Sequence, residues 1–326
     1  MLVIESSIFQ SDPIPGFVNP LCRETMPLPD EVRKSVVFIG SRESGVFRPR
    51  ATGFLCVWHE DGLNFQYLIT AEHVVSGMMT KGWDIWASAN MKNGDLAEFL
   101  LAHDQFYFHP DETQKTDVAV FHLSHMLKAQ DTGETIQMDV NAHSLNGPRS
   151  VTLTPELVTE LQVGIGDEIA IVGLFRSHHG KDHNIPIARM GHIACMRHEP
   201  VLTAYGYIDA YLIEARSISG LSGSPVFFIN GTRAIKSGPG TVALSLAADK
   251  PYYLLMGLVH GHFDIRNLNE DTVVEDERKT TGGINTGIGV VIPVDKIIET
   301  IGGHPDLIQR TKVAIETAKR TQGKSN

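Results

Sequence analysis

A glycine-flanked serine, a histidine behind one apolar run and an aspartate opening another are the residues here whose types and order could do chemistry. The serine is Ser222, where the small-residue turn from Gly220 to Ser224 meets Pro225 and the apolar, aromatic stretch Val226-Phe227-Phe228. Glycines allow a tight, strained backbone that holds one side chain up and aims peptide N–H groups at a common point. An activated serine beside an oxyanion hole needs that shape. His73 follows the apolar run at 65–70, with Ala71 before it and Val74-Val75 after it. Asp117 opens the apolar run Val118-Ala119-Val120-Phe121, a costly place for a carboxylate unless something bonds to it. A serine hydroxyl is too weakly acidic to attack an amide unaided, so a neutral imidazole must take its proton. A buried aspartate then fixes the imidazole tautomer and stabilises the imidazolium. Singly, each residue is ordinary: a turn serine, a satisfied core histidine, a strand-capping aspartate. Together, in the order histidine, aspartate, serine, they point to acyl transfer.

Short strands must position them. Residues 35–39, 52–58 and 65–70 are β-branched and aromatic runs, separated by turn clusters such as Glu60-Asp61-Gly62, a pattern of antiparallel strands. More strands are expected at 84–87, 97–102 and 117–121. In a second half they are expected at 167–175, 185–196, 208–215, 225–229, 252–260 and 289–294. Strands at this spacing predict barrels or a sandwich, not a doubly wound sheet. The expected organisation is an extended, proline-rich arm over 1–30, a first β-barrel over 31–124 and a connection over 125–165. A second β-barrel with a closing helix follows over 166–303, then a C-terminal helix and tail over 304–326. Within the second half, the polar stretch between His262 and Gly287, with the pair Gly282-Gly283, reads as a surface loop. The closing helix is expected at 294–301, stopped by Gly302-Gly303, and the last helix at 306–321.

Composition sets limits. The 326 residues are 42% apolar and 20% charged, with a formal charge of −10, as in an ordinary globular protein and without the basic footprint of a nucleic-acid surface. No apolar run is long enough to span a bilayer, and the N-terminus lacks the pattern of an export signal, so the expected location is the cytoplasm. Cys22, Cys56 and Cys195 have neither metal-site nor disulfide-framework spacing and are expected as free thiols. His178, His179 and His183 cluster without a carboxylate or cysteine pattern for structural zinc. No metal or cofactor is expected.

Three segments resemble the trypsin-like (chymotrypsin-fold) serine proteases: Thr70-Ala71-Glu72-His73, Asp117-Val118-Ala119 and Gly220-Leu221-Ser222-Gly223-Ser224-Pro225. Gly257-Leu258-Val259-His260 is similar to the family's substrate-pairing strand, and residues 287–293 to a segment common in HtrA-like members. The resemblance runs from about Val36 to Ile301. It implies an all-β fold of two antiparallel six-stranded barrels with C-terminal helices and a site in the cleft between the barrels. It also implies Ser222 as nucleophile, His73 as base, Asp117 as its orienter, and the N–H groups of Gly220 and Ser222 as the oxyanion hole. Val74 stands where secreted animal members have a cysteine. Leu221 stands where they keep an aspartate, so activation by a new N-terminal ammonium is not expected. The chain looks like a compact bacterial- or viral-type member with no PDZ module.

The resemblance implies a serine endopeptidase acting on protein or peptide substrates. In the family the residue six before the serine can lie at the floor of the specificity pocket; here it is Arg216, with a solvated strand-end arginine as the alternative. His260 and His262 lie on or beside the substrate-pairing strand, and with Arg216 in the pocket these residues suggest an acidic or polar residue before the cut. An α/β-hydrolase esterase is excluded by Ser224, which breaks Gly-x-Ser-x-Gly, and by the triad order. A binding or regulatory protein on the same scaffold, with cleavage vestigial or partner-activated, stays open.

Overall fold

The computed structural model describes residues 28–322 except 114, 124–137, 204, 216–219, 232, 239–240, 246–249, 268–269 and 275–283. Arg216, Cys22 and most of the proline-rich arm therefore lie outside the described residues. The first described element is a short helix, α1 (Asp30–Lys34), where the arm was expected to end.

The first half holds β1 (Val36–Glu43), β2 (Val46–Glu60), β3 (Leu63–Thr70), α2 (Glu72–Thr80), β4 (Ile85–Asn90), β5 (Leu96–Leu101), β6 (Phe106–Phe108) and β7 (Ala119–Leu123). Their order in the sheet is β5-β4-β1-β2-β3-β7-β6. Then come β8 (His143–Ser144), which pairs parallel with β2, and α3 (Pro155–Glu160). The second half holds β9 (Glu168–Gly173), β10 (Ile187–Cys195), β11 (Val201–Thr203), β12 (Gly206–Ile208), β13 (Tyr211–Glu214), β14 (Pro225–Ile229), β15 (Arg233–Gly238), β16 (Thr241–Ser245), β17 (Tyr253–Asn267), β18 (Glu270–Val274) and β19 (Ile284–Pro293). Because β14 pairs with both β9 and β17, the ring β14-β9-β10-β13-β19-β17 closes into a six-stranded antiparallel barrel. The helices α4 (Val294–Gly303) and α5 (Pro305–Gln322) are the last described elements. None of the described helices is long and apolar enough to cross a membrane.

Three cores explain why so many strands are apolar on both faces. Along β1, Val37 and Ile39 point into the first half's own core, while Val36 and Phe38 join a central cluster. The same period-two division splits Leu68 from Tyr67 and Ile69, and Ala119 and Phe121 from Val118 and Val120. The first sheet is thus rolled around one core, with residues from β1 through β7 and from α2 on its inner side. In β14, Val226 and Phe228 fill the second barrel, while Phe227 faces the central cluster beside Val172, Leu255 and Leu258. That central cluster joins the two halves, and Ile297, Ile301, Leu307 and Ile315 of the C-terminal helices seal it.

Three expectations change. The stretch after His262 is not simply a loop: β17 continues to Asn267, and β18 pairs back on it from Glu270 to Val274. The β-branched run Thr272-Val273-Val274 favours that ladder over a solvated loop, while 275–283 fall outside the described residues. The closing helix is not stopped by its glycines. It includes Gly302 and Gly303 and ends at His304, which is extended at ψ 120°; Pro305 follows, and a residue before proline is pushed out of the helical region. Helix α2 was not foreseen, because its sequence EHVVSGMMT is rich in poor helix formers. Burial of Val75 and Met78 stabilises it instead.

Candidate active site

Strand β3 ends at Thr70, Ala71 is extended, and α2 starts at once, so His73 stands in the first turn of a helix at the edge of the rolled sheet. Asp117 precedes β7, the strand that pairs with β3, and the two segments therefore end side by side. The Asp117 carboxylate grips His73 at two points: Oδ1 accepts the His73 backbone N–H at 2.8 Å, and Oδ2 lies 2.8 Å from Nδ1. An ionised carboxylate only accepts, so Nδ1 carries the proton and Nε2 keeps its lone pair. Among the described residues Nε2 has no hydrogen-bond partner. The two side chains are 7% and 6% exposed, which shields the pair from competing water.

Burial alone would push the Asp117 carboxyl up. The imidazoles of His73 and His260, with their N–H bonds, outweigh that and hold it well below the usual carboxylate range. Glu72 goes the other way. Its burial, and then the Asp117 charge, push it up to about 7.

The serine turn is held from both halves of the molecule. Gly223 N–H donates to Val259 O at 2.8 Å, and Thr52 N–H donates to Ser222 O at 3.0 Å. Gly220 and Gly223 have φ of 99° and 78°, conformations that side-chain-bearing residues rarely adopt. A Cβ on Gly223 would also collide with Thr52 O and Thr70 Oγ1. The turn sits this close to the first half because of Thr52, whose hydroxyl donates to Gly220 O at 2.7 Å and accepts from Leu174 N–H at 2.9 Å. Thr52→Val should therefore destabilise the fold by about 2 kcal/mol, since it keeps the shape but strands a buried carbonyl and a buried N–H. Urea unfolding measures this, and an unchanged midpoint would show that the hydroxyl does not hold the turn.

Of the residues expected in the site, His73 and Asp117 are bonded to each other, and Ser222 lies beside them through His260. The Ser222 hydroxyl donates to His260 O at 3.3 Å, and among the described residues no hydrogen bond joins it to His73. The N–H groups of Gly220 and Ser222 meet no acceptor among the described residues. His260, expected to line the substrate pocket, is fully buried, and its Nδ1 lies 2.6 Å from Asp117 Oδ2. Strand periodicity held that signal, because His260 falls on the same face as Leu258, the face toward the first half. His262 is also buried, within the ladder between β18 and β19. Tyr205, in the turn between β11 and β12, was not anticipated. Its ring lies 6.1 Å from that of His73 and 5.8 Å from that of His260, and nothing in the local sequence marks it. Donor atoms of His73, Asp117 and His260 lie within 4.8 Å of one another, a spacing that a metal ion could bridge. The bonds from both imidazoles to Asp117 Oδ2 account for the cluster without an ion. His178, His179 and His183 lie on a surface loop, where His179 Nδ1 bonds to Arg176 O. Cys56 and Cys195 are free thiols, and burial pushes the Cys56 thiol up.

A family model described as Trypsin matches residues 62–238. Among solved structures, the MamO protease domain from Magnetospirillum magneticum (apo form) aligns at 15% identity with a TM-score of 0.44, covering 82% of this chain and 96% of that one. A mutant of Rv3671c from M. tuberculosis H37Rv, in an inactive form, aligns at 17% identity with a TM-score of 0.42, covering 90% and 94%. No curated protein matches the chain.

Proposed function

The chain belongs to the trypsin family, and on that premise we propose that it is a serine endopeptidase with Ser222 as nucleophile, His73 as general base and Asp117 as the residue that orients the base. The observation that carries the reading is the two-point grip of Asp117 on His73, which leaves Nε2 as the proton acceptor beside the serine turn. In the reaction the Ser222 Oγ–H proton passes to His73 Nε2 as Oγ bonds to the substrate carbonyl carbon. The carbonyl oxygen becomes an oxyanion facing the N–H groups of Gly220 and Ser222. His73 then gives its proton to the leaving amine as the C–N bond breaks, and water repeats the sequence on the acyl-enzyme.

The Ser222 hydroxyl must first leave the His260 carbonyl, and that contact favours the second reading, a scaffold whose cleavage is vestigial or partner-activated. A fluorophosphonate probe separates the two. It should label the wild-type protein and fail to label Ser222→Ala. An unlabelled wild type would favour the second reading.

A further inference from the structure

Asp117 has two imidazole partners on one oxygen. His73 Nδ1 lies 2.8 Å and His260 Nδ1 2.6 Å from Oδ2. A carboxylate oxygen has two lone-pair directions and accepts both N–H bonds. The two rings stand 5.5 Å apart between centroids at an interplanar angle of 83°, so each reaches the oxygen from its own side. His260 shares the inward face of Leu258 and sits at an irregularity in its strand. The register between β17 and β19 slips between Val259 and Gly261, leaving His260 as the extra residue of a bulge, and bulges are common beside active sites. The main chain of the same residue holds the other end of the site, because the His260 carbonyl accepts the Ser222 hydroxyl.

From this we propose that His260 is a positioning residue of the site, a second imidazole that fixes the Asp117 carboxylate on which His73 turns. The proposal rests on the reading of Ser222, His73 and Asp117 as the hydrolytic machinery. The Asp117 side chain is almost wholly buried, and each lone pair left unfilled there costs as much as an unmade bond to a charged group. His73 changes its charge during turnover, and a carboxylate held by His73 alone would be free to follow it. The His260 ring has 0% of its side chain exposed and does not touch water. It holds Oδ2 through every step. Glu72 is a further charged group near this carboxylate, and it does not bond to it among the described residues.

Two measurements test the proposal. Proton NMR of the whole chain with ¹⁵N-labelled histidine should show two strongly deshielded imidazole N–H signals. His73→Ala should remove one and His260→Asn the other. In peptide hydrolysis, His260→Leu should lower kcat by about 10- to 100-fold with KM unchanged, since a bond to a charged group is lost. His260→Asn places an amide N–H where Nδ1–H was and should restore most of that rate. If His260→Leu fails to fold, the asparagine variant decides alone: it must lose its signal and keep its rate. A single deshielded signal in the wild type, a leucine variant with wild-type kcat, or an asparagine variant no better than leucine would overturn the proposal. Two signals in a protein that cleaves no peptide would leave the shared carboxylate standing and remove the protease reading.

Discussion

Replacing Ser222 or His73 with alanine should remove nearly all turnover, on the order of 10⁶-fold, whereas Asp117→Ala should cost roughly 10⁴-fold. The asymmetry follows from what each residue does. Without Ser222 no acyl-enzyme forms, and without His73 no group takes the serine proton, so either loss disables the same step. The double variant Ser222→Ala/His73→Ala should accordingly be no slower than either single one. Asp117 acts through His73. Its two bonds place the ring and keep the proton on Nδ1, so its loss leaves a misplaced base that still has a lone pair. Asp117→Asn should be nearly as damaging as alanine, because the amide N–H can face Nδ1 and reverse the tautomer. Steady-state hydrolysis of a peptide library, normalised to folded protein, measures all of these. Wild-type turnover by Ser222→Ala would end the assignment.

How much of this was legible in the sequence depends on the range of the interaction involved. The strands that bury both faces could be read, because they give dense β-branched and aromatic runs such as the one at 36–39, whereas the short β8, β11 and β12 carry no such run. The pairing of His73 with Asp117 could be read only as a joint pattern with Ser222, since 44 residues separate the two and the adjacency of β3 and β7 brings them together. Helix α2 could not be read, because Val74, Val75, Gly77 and Thr80 have weak helix preferences that tertiary burial overrides. Nor could the bulge at His260, a one-residue slip against β19, although alternation from Leu258 already put His260 on the inward face. Such slips come from the fit between strands and carry no local composition signal. The contacts of Tyr205 depend on the placement of a two-strand ribbon that packs outside both large sheets.

His143 should make the fold sensitive to acid well before the carboxylates do. It sits on β8, 4% exposed, its ring 4.9 Å from Phe227 and 6.1 Å from Tyr253 between ring centroids. Its Nε2 is buried with no hydrogen-bond partner among the described residues, and burial pushes the ring down from 6.5 to about 4. The unfolded chain therefore takes up a proton near pH 6.5, while the folded protein resists until about pH 4. Stability from this group is present in full above pH 6.5 and falls between there and pH 4, where the folded ring also charges. The loss over that window is about 3 kcal/mol, at about 1.4 kcal/mol for each pH unit. Glu72 works in the opposite direction. Its carboxyl is raised to about 7, so the folded state binds that proton more tightly than the unfolded chain and gains from acid. The wild-type curve contains both effects. Comparison with His143→Phe separates them, because a phenylalanine between Phe227 and Tyr253 changes packing by an amount that does not vary with pH. Urea unfolding from pH 7.5 down to 4.5 should show the wild type losing roughly 2–3 kcal/mol more than the variant. Parallel curves for the two proteins would mean that the buried ring accepts its proton without cost, and that the core beside Phe227 has room or a partner for the charge.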